Sequence, residues 1–77
     1  MPRLPIVSGQ DLVRALTQAG FEVHHQKGSH IILKQTAAPF VRLSVPNQKE
    51  LRRGLLAALL RDAGITRDRL EDLLERR

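Results

Sequence analysis

Three histidines are the side chains of this chain best suited to proton transfer near neutral pH, because its 77 residues include no Cys and no Tyr. His24 and His25 are adjacent in a segment of alternating polarity, so regular strand geometry predicts that they point to opposite faces of a sheet. Their spacing is not that of a metal site, and His25 paired with His30 across a turn would lack a third ligand. The pattern predicts acid–base chemistry with no metal and no cofactor.

His30 follows directly on the string Lys27-Gly28-Ser29. A turn glycine lets the backbone approach a ligand closely, and the start of a strand holds the side chain on a rigid element. Alternation with an inward Ile31 predicts that His30 points to an open sheet face, where an imidazole can meet a phosphodiester. On the residues alone, a solvated surface histidine is the alternative. The cations predicted to lie near it are Lys27, Lys34 and Arg42.

A second basic cluster consists of Lys49, Arg52 and Arg53 and is predicted in the first turns of a helix. Cations at that end oppose the helix dipole unless an anion is bound there, and free amide groups could add to such a site. The alternative is a solvent-exposed helix face on which Glu50 partly offsets the positive charge of the cluster. Gly54 inside the same helix costs about 1 kcal/mol relative to Ala, which indicates either close packing or a close ligand.

The charge balance of the chain also indicates an anionic partner. Thirteen basic and eight acidic residues leave a net charge of +5. Residues 1–61 hold nine basic and three acidic side chains, which leaves +6, whereas residues 62–77 hold four and five, which leaves −1. A basic body attracts polyanions, nucleic acid first, although a surplus of Arg also serves solubility.

These residues must be positioned by elements that the hydrophobic periodicity predicts. A first helix over residues 9–19 begins at the capping pair of Ser8 and Asp11, carries one apolar stripe and ends at Gly20. An amphipathic helix of this kind is expected to cover one face of a sheet.

Alternation then predicts strands over residues 21–26 and 29–34, joined by a tight turn at Lys27-Gly28, and a third strand over 40–45. The result is an antiparallel meander. Phe21 and Val23 are predicted to face inward, and the residues predicted on the other side of that strand are Glu22, His24 and Gln26.

A second long helix is predicted to begin at a capping pair of Asn47 and Glu50 and to run to Ala63 before Gly64. A short helix after Thr66 is expected to dock loosely and to fray at its end. The stripe predicted on the second helix comprises Leu51, Leu55, Leu59 and Ala63, widened by Leu56 and Leu60. The prediction of the short helix rests on Leu70, Leu73 and Leu74. The fraying is expected at Arg76 and Arg77.

The predicted fold is α+β with the order α-β-β-β-α, which is that of the double-stranded-RNA-binding domain, in a single domain over residues 1–77. Two long helices cover one face of a three-stranded antiparallel sheet and leave the other face open. The absence of Cys, of a secretory signal and of a run of about 20 apolar residues predicts a cytoplasmic protein that does not enter a membrane.

Several short strings, taken together, resemble the HicA (YcfA-like) toxins over residues 3–74. The strings are Leu4-Pro5, Ser8-Gly9, Ala19-Gly20-Phe21, Gln26-Lys27-Gly28-Ser29-His30, Val45-Pro46-Asn47, Lys49-Glu50-Leu51, Gly54 and Leu60-Arg61-Asp62-Ala63-Gly64-Ile65. The resemblance implies a metal-independent mRNA interferase with a double-stranded-RNA-binding-domain-like fold. It also implies a HicB-type antitoxin that covers the active site of a toxin that is monomeric when free.

The same resemblance assigns the family's catalytic histidine to His30, with Gly28 and Ser29 shaping the loop around it. Two positions depart from the family pattern: Gln48 stands where members often have His, and Leu55 where they often have Thr. Either departure can alter activity or RNA preference if that position contacts RNA.

The resulting hypothesis is that His30 acts as general base on a ribose 2′-OH, which attacks the adjacent phosphorus. Lys27, Lys34 and Arg42 would stabilise the charge that develops, and His24 is an auxiliary candidate for general acid. The complete set predicted to bind RNA is Lys27, Gly28, Ser29, Lys34, Arg42, Lys49, Arg52 and Arg53.

Two alternatives stay open at this stage. One is a non-catalytic RNA-binding module that recognises shape through the same basic surface. The other is an adaptor whose basic face docks an acidic protein. Two Phe and no Trp or Tyr give little support for stacking on single-stranded bases.

Overall fold

A computed structural model describes residues 4–75. The elements follow the predicted order, with a third helix at the end: α1 (Gly9–Gln18), β1 (Phe21–Lys27), β2 (His30–Gln35), β3 (Arg42–Pro46), α2 (Arg53–Ala63) and α3 (Arg67–Glu75). The α+β architecture expected from the sequence is therefore confirmed. The expected fraying at Arg76 and Arg77 lies outside the described residues.

The start of α1 is held by the predicted capping box. The Ser8 hydroxyl accepts a hydrogen bond from the Asp11 amide at 3.0 Å, and the Asp11 carboxylate accepts one from the Ser8 amide at 3.2 Å. The bond from the Ser8 backbone is the main reason that the pKa of Asp11 lies below its ordinary value, and Arg14 adds to the effect. Gly20 follows the helix with a φ of +95°, in agreement with its predicted role as terminator.

The three strands form one antiparallel sheet in the order β1-β2-β3. Leu33 of β2 pairs with Val23 and Leu43, so these three residues share the face toward the helices. Lys34, one residue further, pairs with Glu22 and Arg42 on the opposite face. Helices α1 and α2 cover the first face, since α1 packs on β1 and β3 and α2 packs on β3.

The third strand is shorter than predicted. Phe40 has a φ of +59°, and its amide donates to the Ala37 carbonyl at 2.9 Å in a turn. A residue in the left-handed region cannot continue a strand, so β3 begins at Arg42 instead of residue 40.

The start of α2 was predicted wrongly. Asn47 does not cap the helix: its side-chain oxygen accepts a hydrogen bond from Gln10 at 3.1 Å. The Leu51 amide donates to the Val7 carbonyl at 2.8 Å and the Asn47 amide to the Ser29 carbonyl at 2.7 Å, so both amides bond to residues far away in the sequence and not within a helical turn. The helix begins at Arg53 after an N-cap, Arg52, that makes no side-chain capping bond.

The buried face of α2 differs from the predicted stripe for the same reason. Leu56, Leu59 and Leu60 are buried in the core, whereas Leu55 is 36% exposed. Leu51 is buried as predicted, but it reaches the core from the segment before the helix.

The last helix packs more firmly than expected. Thr66 caps it as predicted, since its hydroxyl accepts from the Arg69 amide at 3.1 Å. Leu70 and Leu73 are fully buried and α3 packs against α1, so the prediction of loose docking is wrong. Burying two Leu side chains stabilises the contact by several kcal/mol, at about 1.5–3 kcal/mol each.

Candidate functional site

The sheet face away from the helices carries most of the residues that were predicted to do chemistry. Ile32 is buried on this face, lies outside the main core cluster and pairs with Ser44. Around it the strands present charged and titratable side chains. The residues placed on this open face by the strand pairing are Glu22, His25, Lys27, His30, Lys34 and Arg42.

A β-bulge in β1 changes the predicted positions of two histidines. Val23 pairs with Leu33 and His25 pairs with Ile32, so His24 is an extra residue between two regular pairs. His24 and His25 consequently do not point to opposite faces, contrary to the prediction. Their Nδ1 atoms are 2.8 Å apart, and their ring centroids are 5.0 Å apart in an edge-to-face arrangement.

The same bulge overturns the predicted alignment of His24 with Gln26. Gln26 pairs with Ile31, which faces the core side of the sheet. The Gln26 side chain turns back to the hairpin, where its Nε2 atom donates a hydrogen bond to the Gly28 carbonyl at 3.1 Å. His24, by contrast, lines the open face.

A shallow depression of about 70 Å³ lies on the open face beside this bulge. Its walls come from all three strands: His24 from β1, Lys34 from β2 and Arg42 from β3, with Ile32 beneath. His30 is not part of its lining. The structure thus brings His24, Lys34 and Arg42 together at one point and leaves His30 further along the sheet.

His30 is the first residue of β2 and is exposed. It pairs with Lys27 across the hairpin and with Pro46 of β3. The two-residue turn consists of Gly28 and Ser29 and not of Lys27 and Gly28 as predicted, so β1 runs on to Lys27 and β2 begins at His30; Gly28 has a φ of +59°. Glycine at the first central position suits a hairpin turn of this length, so the turn holds Lys27 and His30 side by side.

The turn is also tied to the segment that precedes α2. The Ser29 carbonyl accepts a hydrogen bond from the Asn47 amide at 2.7 Å. Gly9 packs on the same segment, and a Cβ at Gly9 would lie 2.1 Å from the Pro46 oxygen, so only glycine fits there. His30 is therefore carried by a turn that the surrounding backbone holds in place.

The second basic cluster follows Asn47 along the chain, beyond the hydrogen bond between Asn47 and Ser29. Lys49 is in the irregular segment, Arg52 is the N-cap of α2 and Arg53 is its first residue, and all three are exposed. The prediction that all three occupy helical turns is wrong, although Arg52 and Arg53 do stand at the helix start. A Cβ at position 54 would have no neighbouring atom within 4 Å, so close packing against the described residues does not explain why this residue is glycine.

The cations of the sheet and of the helices differ in their partners. Within residues 4–75, every ion pair joins side chains of the helices; the pairs are Arg14–Asp11, Arg61–Asp62, Arg67–Asp68 and Arg67–Glu71. Lys27, Lys34 and Arg42 have no carboxylate within 4 Å among the described residues, although Glu22 pairs with Lys34 in the strand register. Their charge remains available to an anion.

The histidine pair was missed by sequence reasoning, although the sequence contains a signal for it. Counting outward from the Lys27–His30 pair without a bulge would place Val23 opposite Lys34, on the open face. The apolar pattern requires Val23 on the same face as Leu33. A two-residue turn and an inward Val23 can be reconciled only by one extra residue in β1, which is the bulge.

The described residues offer neither a metal site nor a membrane span. No group of three or more His, Cys, Asp or Glu in residues 4–75 is arranged to hold a metal ion. None of the helices in that part of the chain is long and apolar enough to cross a membrane.

Comparison with protein families decides the relationship of the chain. The model of the HicA toxin of bacterial toxin–antitoxin systems matches residues 9–65, from the first residue of α1 to just beyond the end of α2. The chain belongs to the HicA toxin family. Its role is accordingly that of a toxin whose partner is an antitoxin. No curated protein matches the chain.

The matched region contains the whole sheet and both histidine sites, whereas α3 lies outside it. It also contains the two departures from the family pattern. Gln48 is exposed, and its carbonyl accepts from the Gly9 amide at 2.8 Å. Leu55 is on the exposed side of α2, so neither residue belongs to the core.

Proposed function

We propose that this HicA-family toxin is a metal-independent mRNA interferase, an endoribonuclease in which His30 is the catalytic general base. The whole chain acts as one toxin domain. The observation that carries the proposal is an exposed histidine held by a rigid hairpin turn on a basic sheet face. Membership in a toxin family and the Gly-Ser-His string support the assignment.

In the proposed reaction His30 removes the proton from a ribose 2′-OH, and the resulting alkoxide attacks the adjacent phosphorus. The bond from phosphorus to the 5′-oxygen breaks, and this oxygen takes a proton from water, which leaves a 2′,3′-cyclic phosphate and a 5′-hydroxyl end. Acid–base catalysis of this kind contributes roughly 10²- to 10⁴-fold. DNA lacks the 2′-OH, so it would bind without being cut.

Positive charge must stabilise the phosphorane as it forms. Lys27 is the cation nearest to His30 in the strand register, because the two residues form the last pair before the turn. Lys34 and Arg42 extend the basic surface along the same face, where they hold the RNA. Gly28 and Ser29 keep the turn narrow enough for the RNA backbone to approach.

The second basic cluster would extend the RNA-binding surface past the turn. The Ser29–Asn47 bond places the segment leading to Lys49, Arg52 and Arg53 directly beside the His30 turn. A strand of RNA lying over His30 would then meet cations on both sides. The antitoxin that we propose, a HicB-type protein, would neutralise the toxin by covering this face with acidic side chains.

The test is incubation of the purified chain with a defined RNA in EDTA, beside the His30→Ala variant and an all-deoxy copy of the substrate. We expect cleavage of the RNA by the unmutated chain alone, with a cyclic phosphate at the new end. Equal cleavage by the variant would remove His30 from the mechanism. Binding by both proteins without cleavage would favour a non-catalytic RNA-binding module instead.

A further inference from the structure

The bulge in β1 creates a site that lies apart from His30 and has its own chemistry. Three donor side chains, one from each strand, surround a depression of about 70 Å³. A single water needs only about 10–15 Å³ of such space, so the depression has room for a larger polar group. None of the three donors, His24, Lys34 and Arg42, has a carboxylate partner among the described residues.

The donor set indicates the class of ligand. A guanidinium presents a planar fork, an ammonium supplies a point charge, and an imidazole supplies one more N–H. A phosphodiester offers two charged oxygens and is the anion that such a combination holds best. The position on the sheet also favours RNA, because Lys34 stands four residues from His30 on the same strand, roughly 13 Å away.

We propose that His24, Lys34 and Arg42 form a subsite for a backbone phosphate of the RNA, distinct from the phosphate at which His30 acts. The identity of the anion as RNA rests on the proposed ribonuclease function. The presence of an anion subsite rests on the depression and its unpaired cations. Its role is to fix the strand on the sheet so that one particular 2′-OH reaches His30.

His25 is a positioning residue in this subsite. A hydrogen bond between two Nδ1 atoms at 2.8 Å needs one proton between them, so one ring donates and the other accepts. The Nε2 atom of His24 has no partner among the described residues and is the nitrogen left for a ligand. Donation from His24 to phosphate through Nε2 fits a His25 that donates its Nδ1 proton to the Nδ1 of His24.

The first test measures binding of a short, fluorescein-labelled all-deoxy oligonucleotide, which the proposed 2′-OH mechanism cannot cut. We expect Arg42→Ala to weaken binding about tenfold, since a hydrogen bond to a charged group is lost. The slope of log affinity against log salt should fall by about 0.7, as expected for one phosphate contact with a single strand.

The matched control is Arg69→Ala, which removes an equally charged, exposed side chain from α3, the helix that packs on α1 away from the open face. We expect it to leave both affinity and salt slope unchanged. If Arg42→Ala behaves like Arg69→Ala, the subsite is wrong, and an acidic protein partner becomes the better occupant of this face.

The second test concerns the proton between the histidines. Ring ¹⁵N spectra of the complex with the oligonucleotide should show His24 protonated at Nε2 and unprotonated at Nδ1. His25→Ala should lose this signature and weaken binding a few-fold, whereas His25→Asn, which keeps a donor near the Nδ1 position, should restore both. An unchanged His24 spectrum in His25→Ala would refute the positioning role.

The two proposals fail separately. His30→Ala should lose cleavage yet bind the oligonucleotide as the unmutated chain does. Cleavage by His30→Ala would overturn the assignment of the general base and leave the subsite standing. An inactive His30→Ala together with normal binding and salt slope in Arg42→Ala would overturn the subsite and leave the nuclease standing.

Discussion

The open sheet face and the helical layer behind it differ in how their basic residues are paired. In the helices Arg14, Arg61 and Arg67 each lie within 4 Å of a carboxylate, whereas Arg53 and Arg69 do not within residues 4–75. On the sheet, Lys34 and Arg42 face a depression without such partners in the described part of the chain. The comparison teaches that the cations of the open face are left without intramolecular partners at a depression, where an anion can gain from their charge.

The largest expected effect separates two neighbours on β2. Leu33 is fully buried among the helices, so Leu33→Ala should lower the free energy of unfolding by about 2–5 kcal/mol. Lys34→Ala, one residue further on the open face, should change it by less than about 0.5 kcal/mol. Urea denaturation of both variants measures the difference. Equal losses would mean that the open face is also structural.

The next effect compares charge reversal on the two surfaces. Lys34→Glu combined with Arg42→Glu should weaken RNA binding about a hundredfold, since two charged contacts are lost. Arg61→Glu combined with Arg69→Glu makes the same change in net charge on the helices. Fluorescence anisotropy at two salt concentrations should find a much smaller effect there. Similar losses would indicate that only net charge matters.

A smaller effect is expected at the start of α1. Ser8→Ala should cost about 1 kcal/mol of stability because it removes the helix cap. Asp11 has a folded-state pKa below its ordinary value, so its stabilising effect is present above the unfolded-state pKa and is lost as the pH falls through the folded-state pKa. Asp11→Asn should therefore destabilise the chain at neutral pH but not in strong acid, as pH-dependent unfolding will show.

The smallest effect concerns the paired cations. Arg67→Ala removes two exposed ion pairs of α3 and should cost no more than about 0.5 kcal/mol of stability. RNA affinity and its salt dependence should be unchanged. A drop in salt slope as large as that expected for Arg42→Ala would end the distinction between the two surfaces.

The fold was predictable because its signals are local. Ser8 with Asp11 marks a helix start, Gly28 marks a hairpin, and alternation about Ile31 and Leu33 assigns the faces of β2. The start of α2 was not predictable in this way. Asn47 and Glu50 read as a capping pair, but Asn47 and Leu51 bond to Gln10 and Val7, far away in the sequence.

The candidate site was predictable only in part. The exposure of His30 follows from simple alternation, but its pairing with Lys27 does not follow from the predicted Lys27-Gly28 turn, because the observed turn lies one residue later. The meeting of His24 with His25 depends on a bulge in an edge strand whose residues after Phe21 are all exposed. Because burial does not alternate along such a strand, it gives no sign of the bulge. The bulge is indicated only by the disagreement between a two-residue turn and the face on which Val23 must lie.

The backbone bonds around the His30 turn have a consequence for local opening of the protein. The amides of Gly9, Asn47 and Leu51 donate to Gln48, Ser29 and Val7, which joins the start of α1, the hairpin turn and the irregular segment before α2. We expect these three amides to exchange their hydrogens with solvent together, as one cooperative unit. Loosening the first residues of α1 would thus release the turn that carries His30, so the precision of the site depends on how tightly residues 7–9 are docked.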